Sequence, residues 1–198
     1  MGMRYTADDF DGDSRVAPDE ALRRLAEGNR IYMEALDHKR DLSPARIREL
    51  FENGQRPFAT IITCADSRVV PEHAFMAGLG ELFVVRVAGN VVGPVEAASA
   101  VYACAHLHTR LLLVLGHTHC GAIKAAIDGE AGAVAPVTER VAAAIAGEDD
   151  PYRASVLNTE AAIAELRAVP ELAALEQAGD LRIAGAIYHT HCGVVDFL

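Results

Sequence analysis

The 198 residues carry 18 basic against 28 acidic side chains, a formal net charge of −10 at pH 7, and a hydrophobic fraction of 51%. A chain of this length buries the core of one domain, and its acidity lacks the basic footprint that nucleic acid or an anionic membrane surface requires. No run reaches the roughly 20 apolar residues of a membrane span, and Met1–Glu20 lacks the basic start and apolar centre of a secretory signal, so the expectation is a cytoplasmic protein with no nucleic-acid and no membrane partner.

Residues 1–17 are polar and acidic without a sustained apolar period, which predicts a flexible N-terminal segment ahead of a single domain over 18–198. From Pro18 to Leu36 apolar residues recur at helical spacing, with Asp19 and Glu20 in the first turn. Ser43-Pro44 reads as a cap and first turn of a short helix that Asn53-Gly54 closes. Phe58–Cys64 and Leu82–Val87 read as buried parallel strands, and Pro71 opens a short crossover helix between them. Gly93-Pro94 opens a longer helix over Val95–His108, and Leu111–Leu115 makes a third strand.

A helix from Gly121 through Ile127, a loop over Ala131–Ala135, and Ala/Leu/Glu-rich helices over Pro136–Ala146 and Pro151 to about Ala178 follow, the last interrupted at Pro170. These helices read as packing and dimer contact. Leu181–Tyr188 and Val194–Leu198 supply the last strands. The alternation predicts the α/β class: a central, mainly parallel β-sheet of four to five strands flanked by helices.

Two of the strands end in chemistry. Ile61-Ile62-Thr63 runs into Cys64-Ala65-Asp66-Ser67-Arg68, and Leu111–Leu115 runs into Gly116-His117-Thr118-His119-Cys120-Gly121. Cys64, His117 and Cys120 offer two thiolates and an imidazole, a donor set that zinc takes while keeping a fourth position for water or substrate. Both sets follow an apolar run, at the carboxyl edge where open α/β sheets collect ligands. Taken singly, Cys64 is as well explained by a packed core thiol, and one His-x-x-Cys lacks the doubled Cys pairs of a structural zinc finger.

Cys64-x-Asp66-Ser67-Arg68 followed by His117-x-x-Cys120-Gly121 resembles the paired signature of the β-class carbonic anhydrases. Gln55-Arg56-Pro57-Phe58, Leu82 to Asn90 and Gly185-Ala186-Ile187-Tyr188 resemble the family's other segments, in the family's order. The resemblance, over about Ala21 to Leu198, implies zinc held by Cys64, His117 and Cys120, and reversible hydration of carbon dioxide to bicarbonate and a proton through a zinc-bound hydroxide. It gives Asp66 the role of orienting the attacking water, with Arg68 holding Asp66 in place and ionised; lying two apart, the two side chains point to one side of an extended segment and can form a bidentate pair.

It also implies a substrate pocket of Gln55, Phe83, Ala88, Tyr102 and Gly121, an N-terminal helix packing on a partner subunit, and a homodimer or dimer of dimers with active sites near the subunit interface. By position alone, Phe83 and Tyr102 are as well explained by core packing. Hydrolysis of a related cumulene, carbonyl sulfide or carbon disulfide, and a non-catalytic zinc-binding role are the alternatives.

Val87, Val101 and His189 depart from the residues common in the family at those places. Bicarbonate inhibition at a separate site, found in one branch, uses a tryptophan; this chain has none, so no such switch is expected. Cys104 reads as a buried free thiol. His119 is a candidate proton relay, and His189, His191 and Cys192 a candidate second metal cluster.

Overall fold

The computed structural model describes residues 16–34 and 41–198. The segment expected to be flexible therefore lies, up to residue 15, outside the described residues, as does the expected end of the first helix at Leu36. Five strands, β1 (Ala59–Thr63), β2 (Leu82–Arg86), β3 (Leu111–His117), β4 (Arg182–Tyr188) and β5 (Val195–Phe197), form one sheet in the order β2-β1-β3-β4-β5. The first four are mutually parallel, and β5 returns antiparallel on β4.

β1 and β3 are buried along their whole length, as their unbroken apolarity requires of central parallel strands covered on both faces. Successive side chains alternate between those faces. Ile61, Leu111, Leu113 and Leu115 enter one cluster, joined by Ala21 and Leu25 of α1 (Pro18–Met33) and by Ala74 of α3 (Pro71–Ala74). Ile62, Leu112 and Val114 enter the opposite cluster. There they meet Ala100 of α4 (Pro94–Val101), Ala162 and Leu166 of α7 (Pro151–Arg167), and Leu172 of α8 (Pro170–Gln177).

α1 thus seats Ala21 and Leu25 on its own chain. Gly28 lets the helix sit so close that an added Cβ would lie 1.8 Å from the Phe75 carbonyl oxygen. Asn29 locks the contact, its amide donating to the carbonyls of Ala74 at 3.0 Å and Gly193 at 2.9 Å while its oxygen accepts from the Val195 amide. α2 (Pro44–Asn53) behaves differently: capped by Ser43 as expected, it buries no residue at all.

Several expectations are corrected. β2 is half-buried, because it lies at the sheet edge with β1 as its one neighbour. The helix expected to His108 is α-helical only to Val101 and continues as a π turn over Tyr102–His106. β3 runs on through Gly116 to His117, since pairing with β4 continues to Tyr188. The loop expected at Ala131–Ala135 contains a 3-10 turn, Gly132–Val134, and leads into α6 (Ala135–Ile145). No described helix is long and apolar enough to cross a membrane.

Candidate metal centre

Strand register brings the two motifs together. Thr63 pairs with Leu115, so Cys64, one residue beyond β1, and His117, two residues beyond Leu115, leave adjacent central strands at the same edge. Cys120 is the N-cap of α5 (Gly121–Ile127), which starts immediately afterwards. Among the described residues, Cys64, His117 and Cys120 are the group of three potential ligands whose donor atoms gather, all within 4.8 Å of one another. Their residues are 5%, 1% and 4% exposed.

Two features fit this group to a metal ion. The Nδ1 of His117 lies 2.9 Å from the Thr118 carbonyl, which can only accept, so Nδ1 carries the proton and Nε2 keeps its lone pair. That buried Nε2 has no hydrogen-bond partner, a costly state for a nitrogen unless something else takes the lone pair. The sulfurs of Cys64 and Cys120 stand 4.0 Å apart. Their pairing pulls the Cys64 thiol well down, first through the hydrogen bond from Cys120 and then through His117, and pushes the Cys120 thiol up. One proton shared by the pair is what a divalent cation displaces on binding.

Asp66 stands beside the centre and outside the gathered group. Arg68 donates to both carboxylate oxygens, Nε to Oδ1 at 3.0 Å and Nη2 to Oδ2 at 2.7 Å. This bidentate pair holds the Asp66 carboxyl down at about 2, with the Arg68 backbone amide adding to it. The two-residue spacing does not work through an extended strand, as the sequence suggested. The Arg68 amide bonds Oδ1 at 2.9 Å and the Val69 amide bonds the Asp66 carbonyl at 3.0 Å, so the segment is an Asx-supported turn. Arg68 also reaches the His119 carbonyl at 3.1 Å, tying the first motif to the second.

Residues outside the two ligand motifs complete the surroundings. Arg86, the last residue of β2, donates to the carbonyls of Cys64 at 3.3 Å and Asp66 at 2.6 Å. The Gly89 amide donates to the Cys64 sulfur at 3.3 Å, and Asn158 of α7 donates to the Gly89 carbonyl at 2.7 Å. A charged residue closing an apolar strand could have flagged Arg86. Nothing local distinguishes Asn158, which lies in a stretch read as packing.

The other expected site residues are not enclosed with the centre in this chain. Gln55 and Ala88 are exposed, and Phe83 is half-buried on β2. Tyr102, 47% exposed, lies with its ring 6.1 Å from that of Phe83. Gly121 is exposed at the start of α5, with nothing within 4 Å of an added Cβ. His119 is exposed in a left-handed conformation, φ 56°. The candidate second cluster does not gather: His189 bonds Asp196 at 2.8 Å, and His191 and Cys192 are exposed.

Comparison with known proteins points one way. Residues 59–195 match the family described as carbonic anhydrase. The chain is 39% identical to carbonic anhydrase 2 of Mycobacterium tuberculosis over 142 residues, which is 65% of this chain and 64% of that relative, so the match spans just under two thirds of the relative's length. It is 34% identical to the carbonic anhydrase of Mycolicibacterium smegmatis over 195 residues, 90% of this chain and 92% of the relative. Among solved structures, it superposes with a TM-score of 0.71 and 26% identity on a structure described among two tetrameric β-carbonic anhydrases of Sordaria macrospora, over 79% of this chain and 87% of that one. It also superposes on Coccomyxa β-carbonic anhydrase in complex with acetazolamide, with a TM-score of 0.67, 29% identity, and 89% and 86% of the two chains covered.

Proposed function

The chain belongs to the β-class carbonic anhydrases, and from that membership we propose that it catalyses the zinc-dependent, reversible hydration of carbon dioxide to bicarbonate and a proton. The observation that carries this reading is the convergence of Cys64 Sγ, the orphaned His117 Nε2 and Cys120 Sγ at a buried strand edge. These three would hold zinc, which when bound supplies the Lewis acidity that brings the pKa of a water to about 7.

The chain's own residues do the rest. The Asp66 carboxylate, ionised at any working pH, keeps lone pairs beyond those Arg68 engages and accepts a hydrogen bond from the attacking water, aiming its oxygen at the substrate carbon. Arg68 holds the carboxylate in one rotamer, and Arg86 holds the backbone on either side of Ala65. Val91 and Ile123 pack with the two cysteines and keep bulk water from the sulfurs. Two thiolates and a neutral imidazole balance a divalent cation, which places the activity optimum on the alkaline side of neutrality.

The same reading places a second copy of the chain against α2 and β2, with Gln55, Phe83, Ala88 and Tyr102 completing a pocket at the subunit boundary and the Gly121 amide facing it. Ile47 of α2 is 56% exposed and Val95, at the start of α4, 73%, an apolar display that a homodimer or dimer of dimers covers. The free thiols Cys64, Cys104, Cys120 and Cys192 suit the reducing cytoplasm.

The test is stopped-flow carbon dioxide hydration on metal-quantified protein, with Asp66→Ala and Cys64→Ser beside the wild type. Asp66→Ala should keep its zinc and lose about 10²–10⁴-fold in turnover; Cys64→Ser should lose both. Zinc bound at full stoichiometry without hydration would overturn the assignment and redirect the search to carbonyl sulfide, carbon disulfide or a non-catalytic role.

A further inference from the structure

We propose that Asn158 is a positioning residue for the metal centre: by holding the Gly89 carbonyl it fixes the Gly89 N–H that donates to Cys64 Sγ, and so sets the charge that this sulfur presents to a bound zinc. The inference rests on the zinc reading above.

The Ala88–Asn90 turn has a narrowly defined conformation. Gly89 and Asn90 both stand in the left-handed region, φ 70° and 44°, which glycine and asparagine adopt more readily than other residues. The Gly89 amide must keep this orientation to reach the Cys64 sulfur at 3.3 Å. Asn158 is 3% exposed and spends its amide on the Gly89 carbonyl at 2.7 Å, across 69 residues of sequence. An amide in an otherwise packed helix face is unfavourable to bury unless its hydrogen bond is made, so a residue chosen for packing alone would be apolar.

The helix that carries Asn158 is itself pinned to the strand that carries His117. At Gly116 an added Cβ would lie 2.3 Å from the Thr159 hydroxyl oxygen, so α7 presses against β3 one residue before the imidazole ligand. One rigid path thus runs from β3 through Thr159 and Asn158 to Gly89 and the first thiolate. Hydrogen bonds to a ligating thiolate withdraw charge from it, and partners one step out from the ligands set both affinity and electronic character of a metal site.

The experiment uses the full chain loaded with zinc or cobalt, as wild type, Asn158→Ala, Asn158→Leu and the control Leu172→Ala, whose side chain is buried in the cluster that takes Ala162 and Leu166 farther along α7. In the Asn158 variants the thiolate-to-cobalt charge-transfer band should move to lower energy, because the sulfur loses a donor, and zinc affinity should fall about 10–100-fold. Leu172→Ala should lower the melting temperature and leave the band in place. A band unmoved in folded Asn158 variants, or moved equally by Leu172→Ala, overturns the assignment.

Should both Asn158 variants fail to fold, the wild-type cadmium form decides by nuclear magnetic resonance. Scalar coupling between the Gly89 amide proton and cadmium, together with slowed exchange of the Asn158 side-chain amide, supports the path; absence of either overturns it. Wild-type protein that takes up no metal removes the zinc reading and this inference together, whereas bound metal with an unmoved band removes this inference alone.

Discussion

The ends of β1 and β3 are tied down from several sides: Arg68 and Arg86 grip the turn around Asp66, Thr118 sets the His117 tautomer, and Gly89 serves the Cys64 sulfur. The flank made by α2 and β2 is unfinished by comparison. α2 buries nothing, β2 is half-buried, and Tyr102 beside it is 47% exposed. The contrast separates a finished strand edge from an open flank. A metal-binding edge needs adjacent strands in register, which the chain supplies itself; a pocket for a small apolar substrate needs walls on all sides, and an edge strand has only one neighbour.

The sharpest way to break the contrast is His117→Ala, which should abolish stoichiometric zinc uptake by metal analysis because two thiolates alone leave the cradle open on one side. Retained zinc would show that the centre is not the one described. Next comes the unfinished flank. Ile47→Glu should weaken self-association by about 30-fold or more, the ~2 kcal/mol of an interface hot spot, as read by sedimentation, while zinc content stays unchanged. Zinc lost with the dimer would mean that the two regions are one.

A smaller effect tests how tightly the finished region is packed. Gly116→Ala forces a Cβ to within 2.3 Å of the Thr159 hydroxyl oxygen and 3.0 Å of Ile187, and should cost about 1–3 kcal/mol in chemical denaturation. The smallest effect, absent at neutral pH, concerns Cys104, whose thiol burial pushes up to about 11 from 9.0. The folded protein keeps this proton where the unfolded chain releases it, so the stabilisation is complete below about 9 and is lost as the pH rises toward about 11. Denaturant midpoints across that window should fall, and Cys104→Ala should flatten the fall.

Much of the centre was legible in the sequence because strand ends announce themselves. Apolar runs that stop at Cys64 and near His117 mark the carboxyl edge, and the Asp66–Arg68 spacing marks a paired carboxylate. The spacing misled about backbone, though: two residues apart suggested an extended segment, whereas Asp66 builds a turn by capping the Arg68 amide with its own side chain. That preference belongs to a short acceptor side chain next to free backbone donors, and it competes with extension wherever no neighbouring strand claims those donors. β2 misled in another way, since its apolar run reads the same at an edge as at the centre of a sheet.

By itself, the sequence determined the α/β class, the order of strands and helices along the chain, the three metal-ligand candidates and the family, because these follow from local periodicity and from residue types at fixed spacing. Tertiary structure alone decided that β2 lies at an edge, that α1 seats Ala21 and Leu25 on its own chain, and that Arg86, Gly89 and Asn158 reach the turn beside the candidate metal centre. Such contacts join residues tens of positions apart, and no local pattern encodes them: they exist only once register and helix packing have fixed which backbone groups face which side chains.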